Sequence, residues 1–261
     1  MLWTYLGMGL TAGTIVSSWQ GYKDPPWEGF IAAKFARSIV VGAGVSFAFY
    51  VLLQRGVPAV DNLGLLLLTI LATERLVGET YKGFLRSGPH PEYFKLFHRL
   101  GLPTGSHVGK FVFGLVFLAG GLWLYWLFGR LGVRIAGTFG MTPLAGLLIG
   151  AAAGAMVAAG GALKDSQFEG FKAKKFVRSP IVAAIGSMWL ITLSDDPALV
   201  AVGAIGFERV GVEFYKTFLT RQVRGFHAGK PVTHPEWLER RWVFLVSFVA
   251  AVAVCGALLV A

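Results

Sequence analysis

The sequence predicts an all-α, polytopic membrane protein: about eight transmembrane helices in two parallel, same-orientation four-helix repeats related by a pseudo-twofold axis along the membrane normal. Three observations lead there. Of the 261 residues, 55% are hydrophobic and only 15% charged, with a mean hydropathy of +0.62, which is too apolar for one soluble core. Basic residues alternate between successive loops, and charged text recurs in the same order in both halves. The apolar runs are continuous, not alternating, and a bilayer interior admits only helices or closed barrels, so helices follow.

In chain order the apolar stretches fall at 2–20, 38–54, 61–81, 110–129, 142–163, 180–194, 197–216 and 242–260. The first, opening "MLWTYLGMGLTAG", lacks the basic leader and small-residue cleavage pattern of a secretory signal, so it is expected to persist as a span. The second and sixth are short and either tilt little or borrow length from the amphipathic segments before them. Gly9 with Gly13 in the first, and Gly146, Gly150 and Gly154 in the fifth, form small-residue ridges expected to bring these two helices together as the packed centre. Cys255, the single cysteine, sits in the last run and makes no internal disulfide; it reads as packing.

The 24 Lys and Arg residues test the span count. Nineteen lie in loops that follow odd-numbered spans, three (Arg55, Arg130, Arg134) in loops that follow even-numbered ones, and Arg75 and Arg209 inside spans. A missed helix would scramble that alternation, so the basic loops are read as cytoplasmic and both termini as non-cytoplasmic, in the cell membrane. The formal charge of +10 then describes one face, whose natural partners are anionic lipid headgroups. No nucleic-acid motif accompanies it.

Lys23 to Ser38 matches Lys164 to Ser179 at ten of sixteen positions, where background composition gives about one. "ERLVGETYKGFL" from Glu74 matches "ERVGVEFYKTFL" from Glu208 at seven of twelve, and "HPEY" at His90 is echoed by "HPEW" at His234. Three blocks in one order indicate duplication, with repeat one over 1–131, repeat two over 142–261 and a short linker at 132–141. Because each repeat has an even number of spans, both enter the membrane from the same side.

In the first block, Asp24 before Pro25 reads as an N-cap and first-turn proline, starting a helix that carries Glu28, Lys34 and Arg37; Asp165 caps its counterpart ahead of Glu169, Lys175 and Arg178. Trp27, Phe30 and Phe35, with Phe168, Phe171 and Phe176, give that helix an apolar side, and Pro180 opens the sixth span. A basic interfacial anchor would explain the charge but not its placement. Lys23, Asp24, Glu28, Lys34 and Arg37 recur one for one, acids included.

The second block ends a span. On a helix Arg75, Glu79 and Lys82 form one stripe, repeated by Arg209, Glu213 and Lys216, with Glu74 and Tyr81 on an adjoining stripe repeated by Glu208 and Tyr215. Arg75 lies about 10 Å below Lys82 at 1.5 Å per residue. Charges at such depth face a bundle interior or water, either neutralising each other within their own helix or serving a site.

The residues therefore point to a transporter or channel with a duplicated, cytoplasm-facing site for an anion or other small ion. Lys23, Lys34, Arg37, Arg75, Lys82, Lys164, Lys175, Arg178, Arg209 and Lys216 attract the ligand, and Glu74, Glu79, Glu208 and Glu213 couple or gate. Asp24 with Glu28, and Asp165 with Glu169, have a spacing that holds a divalent cation, which keeps open a membrane enzyme that clamps a lipid phosphate or pyrophosphate. A scaffold whose basic loops dock a partner is the third reading. His90 and His234 precede proline and read as turn initiators before metal ligands. No nucleophile–base motif, phosphate loop or zinc spacing is present, so the sequence assigns no cofactor, no resident metal and no oligomeric state.

Overall fold

The computed structural model describes residues 1–57, 60–86, 107–223, 227 and 229–261, apart from the Glu169 side chain. Among them the chain is helical and contains no strand. The helices are α1 (Leu2–Lys23), α2 (Pro25–Glu28), α3 (Ala32–Gln54), α4 (Leu63–Thr80), α5 (His107–Phe139), α6 (Pro143–Glu169), α7 (Ala173–Leu190), α8 (Pro197–Phe214), α9 (Trp237–Arg240) and α10 (Trp242–Val260). α4 and α8 each continue into a π-helical turn, Tyr81–Leu85 and Tyr215–Leu219.

Among the described residues, four segments are long and apolar enough to cross a bilayer: α3, α5, Pro143–Phe168 of α6, and Trp237–Val260, which joins α9 to α10. α5 shows why water is not their solvent, since Val108, Phe111, Leu115, Val116, Trp123 and Trp126 are all half or more exposed along it. The protein is a membrane protein. α4 is the opposite case, buried on every side, with Leu65, Leu66, Leu67, Leu68, Ile70, Leu71 and Ala72 no more than 1% exposed.

The chain divides into two compact units, one of Met1–Glu74 with Ile205–Ala261 and the other of Arg75–Ala204. Units and sequence repeats are different partitions, because the first unit takes residues from both halves. In that unit α1 packs on α3 through glycine. A Cβ on Gly13 would meet the Ser38 carbonyl at 2.5 Å, and one on Gly9 would meet the Ser46 side chain at 2.6 Å. The Ser46 hydroxyl donates to the Tyr5 carbonyl. α10 closes on the other side of α1, with Phe248 against Trp19 at 6.2 Å between ring centroids and the Ser18 and Ser247 hydroxyls 3.0 Å apart.

The second unit repeats the first contact at an offset of 141. A Cβ on Gly154 would meet the Ser179 carbonyl at 2.6 Å, one on Gly150 would meet the Ser187 side chain at 2.5 Å, and the Ser187 hydroxyl donates to the Gly146 carbonyl at 2.7 Å. Each glycine ridge is therefore filled by the helix that follows it, which corrects the expectation that the ridges pair the first and fifth helices. Small residues serve here as predicted, by letting backbones approach closely, but the partner is the sequence neighbour.

Three local expectations are also corrected. The helix expected to carry Glu28, Lys34 and Arg37 together is two helices, because Gly29 (φ 70°, ψ 171°) ends α2 after one turn and α3 restarts at Ala32. Asp24 does stand at the N-cap of α2 with Pro25 at its first position, whereas Asp165 caps nothing. Asp24 makes no capping bond to α2, and Asp165 lies inside α6, which runs on to Glu169 because Ser166 and Gln167 replace the two prolines that break the first repeat. Pro180 lies within α7 and does not open it, because the helix starts at Ala173. α5 continues to Phe139 through most of 132–141.

Candidate functional site

The second block's stripe builds a buried cluster in each unit. In the first, Arg209 and Glu213 face the same side of α8 one turn apart, with Nη1 2.6 Å from Oε1. The π turn that follows carries Lys216 back to the same carboxylate, Nζ 3.8 Å from Oε1. Lys23, in the last turn of α1, reaches Glu213 Oε2 at 2.7 Å, where the Thr217 hydroxyl also donates at 3.5 Å. The Arg209 guanidinium lies over the Trp19 ring, 5.0 Å from its centroid, which fixes the fork from behind. Glu213 is buried.

The second unit assembles the matching set. Glu79, also buried, pairs with Arg75 one turn earlier on α4, with Lys82 in the π turn at 3.4 Å, and with Lys164 of α6 at 2.6 Å. The helix-internal pairs were legible from spacing. The lysines were not: Lys23 is 190 residues from Glu213 and Lys164 is 85 from Glu79, so each cluster joins a lysine of one sequence half to an acid of the other. The only hint in the sequence was that both lysines head a recurring block whose other charges were given other work.

Two of the remaining predicted cations have partners on neighbouring elements. Lys34 turns to Glu28, and the Arg37 guanidinium donates to Gln20 Oε1 at 3.2 Å. Lys175 and Arg178 are half-buried on α7. Glu74 and Glu208 are each 2% exposed, the deepest carboxylates of the first unit. Of the candidate cation ligands, Glu28 is engaged by Lys34 and also faces His227 Nε2 at 3.5 Å, while Asp165 is half-buried within α6. Among the described residues no three His, Cys, Asp or Glu side chains converge as a metal would require. A cleft lined by Gln20, Asp24, Glu28, Lys34 and Phe35 among others encloses about 20 Å³, room for about one water.

Around this corner lies a contact that sequence reasoning missed. His227 stacks on Trp27 at 5.2 Å between ring centroids, and the backbone N–H groups of Thr233 and His234 both donate to the Pro26 carbonyl. The segment "HPEW" thus seals α2. His234 does initiate a turn, the Trp237 N–H donating to its carbonyl at 3.1 Å; His90 lies outside the described residues. Gly29 and Gly170 share one backbone conformation (φ 70° and 71°, ψ 171° and 175°), which explains why both blocks keep glycine there. The following aromatic pairs also match, Phe30–Phe35 and Phe171–Phe176 both at 5.9 Å. No protein-family model, curated protein or solved structure matches this chain.

Proposed function

We propose that the protein is an integral membrane transporter or channel for an anion, with two equivalent charged sites centred on Glu79 and Glu213. One observation carries the proposal: twice, three cations gather on one buried carboxylate. Ionisable side chains gathered in the interior of a membrane protein mark ion pathways.

The rest of the arrangement belongs to the same proposal. The chain makes eight spans in two repeats around a pseudo-twofold axis along the normal, in the cell membrane, with basic loops cytoplasmic and both termini outside; the loop-by-loop alternation of basic residues supports this. Duplication is supported further by the recurrence at one offset of the Ser46–Tyr5 and Ser187–Gly146 hydrogen bonds. Lys34, Arg37, Lys175 and Arg178 draw anions towards the sites, and the outer basic residues meet anionic headgroups. Glu74 and Glu208 are the gating acids, buried where a change of charge shifts a conformational equilibrium. The enzyme alternative asks Asp24 and Glu28 to hold Mg²⁺, and the Lys34–Glu28 pair weighs against it.

Reconstitution tests the reading. Proteoliposomes should show anion flux that the Lys23→Met/Lys164→Met protein loses. Unchanged flux and unchanged pH dependence in Glu74→Gln/Glu208→Gln would remove those acids from the cycle. Absence of flux together with a stoichiometric co-purifying partner would turn the assignment to a scaffold.

A further inference from the structure

At the start of α10 two arginines stand on two aromatic rings. The Arg241 guanidinium lies over Tyr22, 4.5 Å from the ring centroid, and that of Arg221 lies over Trp242 at 5.4 Å; the two rings meet edge to face at 5.9 Å. Tyr22 is fixed in the last turn of α1, buried and packed against Phe218 of the second π turn at 4.8 Å. A guanidinium stacked on a ring uses its face and keeps its edge, so the N–H donors that radiate in its plane stay available. Among the described residues neither arginine makes an ion pair or a side-chain hydrogen bond. The rings hold both groups in place without neutralising either.

The backbone at Arg221 is a second, independent observation. Arg221 follows the π turn that ends α8 with a φ of 47°, and among the described residues no other residue except glycine is left-handed. Glycine is the ordinary occupant where a chain leaves a helix in this way, since a Cβ there crowds the backbone. An arginine held at such a position indicates a use for its side chain. The sequence does not repeat the arrangement in its other half: in the register that aligns Glu74 with Glu208, Ser87 stands where Arg221 is, and in the one that aligns Lys23 with Lys164, Leu163 stands where Tyr22 is. The location is the third observation. The apolar run of α10 begins at Trp242, itself 43% exposed, and beyond it Val243, Val246 and Val249 are half or more exposed while Phe244, Phe248 and Ala251 turn inward. Hydrocarbon covers those valines, so the two arginines stand at headgroup level.

We propose that Arg221 and Arg241 hold the headgroup of one anionic phospholipid, whose acyl chains lie along Val243, Val246 and Val249. A phosphodiester accepts paired N–H bonds from the edge of a guanidinium, the part of each arginine that stacking leaves open. The valine stripe gives the tails a surface that a soluble anion does not need, which favours a lipid over free phosphate. A zwitterionic headgroup would bring its own ammonium up to Arg221 and Arg241, so an anionic headgroup such as that of phosphatidylglycerol is preferred. General attraction between headgroups and a basic surface requires positive charge at no fixed place. This site requires these two residues, once per chain, and does not depend on the transport reading.

The test is native mass spectrometry of the purified full-length protein in detergent, titrated with phosphatidylglycerol or phosphatidylcholine of the same chain length. Wild type should bind one phosphatidylglycerol about tenfold more tightly than phosphatidylcholine. Arg221→Gly/Arg241→Gln should bring the two lipids within about threefold of each other, whereas Lys174→Gln/Lys230→Gln, which removes the same charge from exposed positions elsewhere, should keep the preference. Size-exclusion profile and helical circular dichroism check folding. If the double arginine variant does not fold, Arg221→Gly decides alone: glycine accepts the left-handed φ, so the lipid-free protein should melt close to wild type and still lose about threefold or more in affinity for phosphatidylglycerol. A folded arginine variant that keeps the tenfold preference overturns the inference. An equal loss in the lysine variant overturns it too, by reducing the site to general surface attraction, as does binding of inorganic phosphate through the arginines with no preference between the two lipids.

Discussion

Lys23→Met tests the link between the sequence halves most directly. The ammonium lies 2.7 Å from Glu213 Oε2, and the two side chains are 11% and 6% exposed, so water screens the pair little. A hydrogen bond between charged groups contributes about 1.5–3 kcal/mol. Glu213 keeps Arg209 and Lys216 after the change, so the loss falls below the ~3–5 kcal/mol of stranding a buried charge entirely. About 2 kcal/mol is expected, which for a chain of this size lowers Tm by about 4–8 °C in fluorescence-detected unfolding in detergent. Glu213→Gln should cost more, since it removes the one charge that Lys23, Arg209 and Lys216 all face. In the double variant the second change no longer breaks the Lys23 bond, so its loss should fall short of the sum by about 1.5–2 kcal/mol. Strict additivity, within about 0.5 kcal/mol, would refute the pairing, and the Lys164–Glu79 cycle should give the same coupling if the two clusters are equivalent.

Gly29→Ala and Gly170→Ala should each destabilise by about 1–3 kcal/mol, because both glycines hold a positive φ with extended ψ that other residues rarely adopt; Gly44→Ala, in open space on α3, should be neutral or slightly stabilising in the same melts. Gly154→Val should lower Tm by more than Gly160→Val, because only the former would drive a side chain into the Ser179 carbonyl, an overpacking cost of about 1–3 kcal/mol or above. In a Cys255→Ala background, Lys174→Cys should react with a membrane-impermeant maleimide from the cytoplasmic side and Asp195→Cys from the opposite side; labelling of both from one side would break the eight-span topology.

Membrane residence and the all-helical class were legible at once, because continuous apolar runs leave a bilayer chain one backbone solution, and the run now forming α10 reads off to within a residue. The stripes Arg75–Glu79–Lys82 and Arg209–Glu213–Lys216 were legible too, since helical periodicity sets neighbours three and four residues apart without knowledge of anything else. Helix breaks were half legible: Pro25 and Pro26 interrupt the first repeat, as proline must, but Pro180 passes inside α7, and Gly29 ends α2 through a torsion angle that no periodicity reports.

What the sequence by itself determined is thus everything that depends on local spacing and on the solvent: helices, apolar spans, paired charges within a turn, and the recurrence of charged blocks. Only the tertiary structure decided which lysine reaches which acid, which helix fills each glycine ridge, and that the Trp27–His227 stack seals α2. The physical reason is that Coulombic and close-packing contacts act over a few ångströms in space and are blind to separation along the chain. A bond such as Lys23–Glu213, spanning 190 residues, exists only once the helices between its ends have chosen their neighbours.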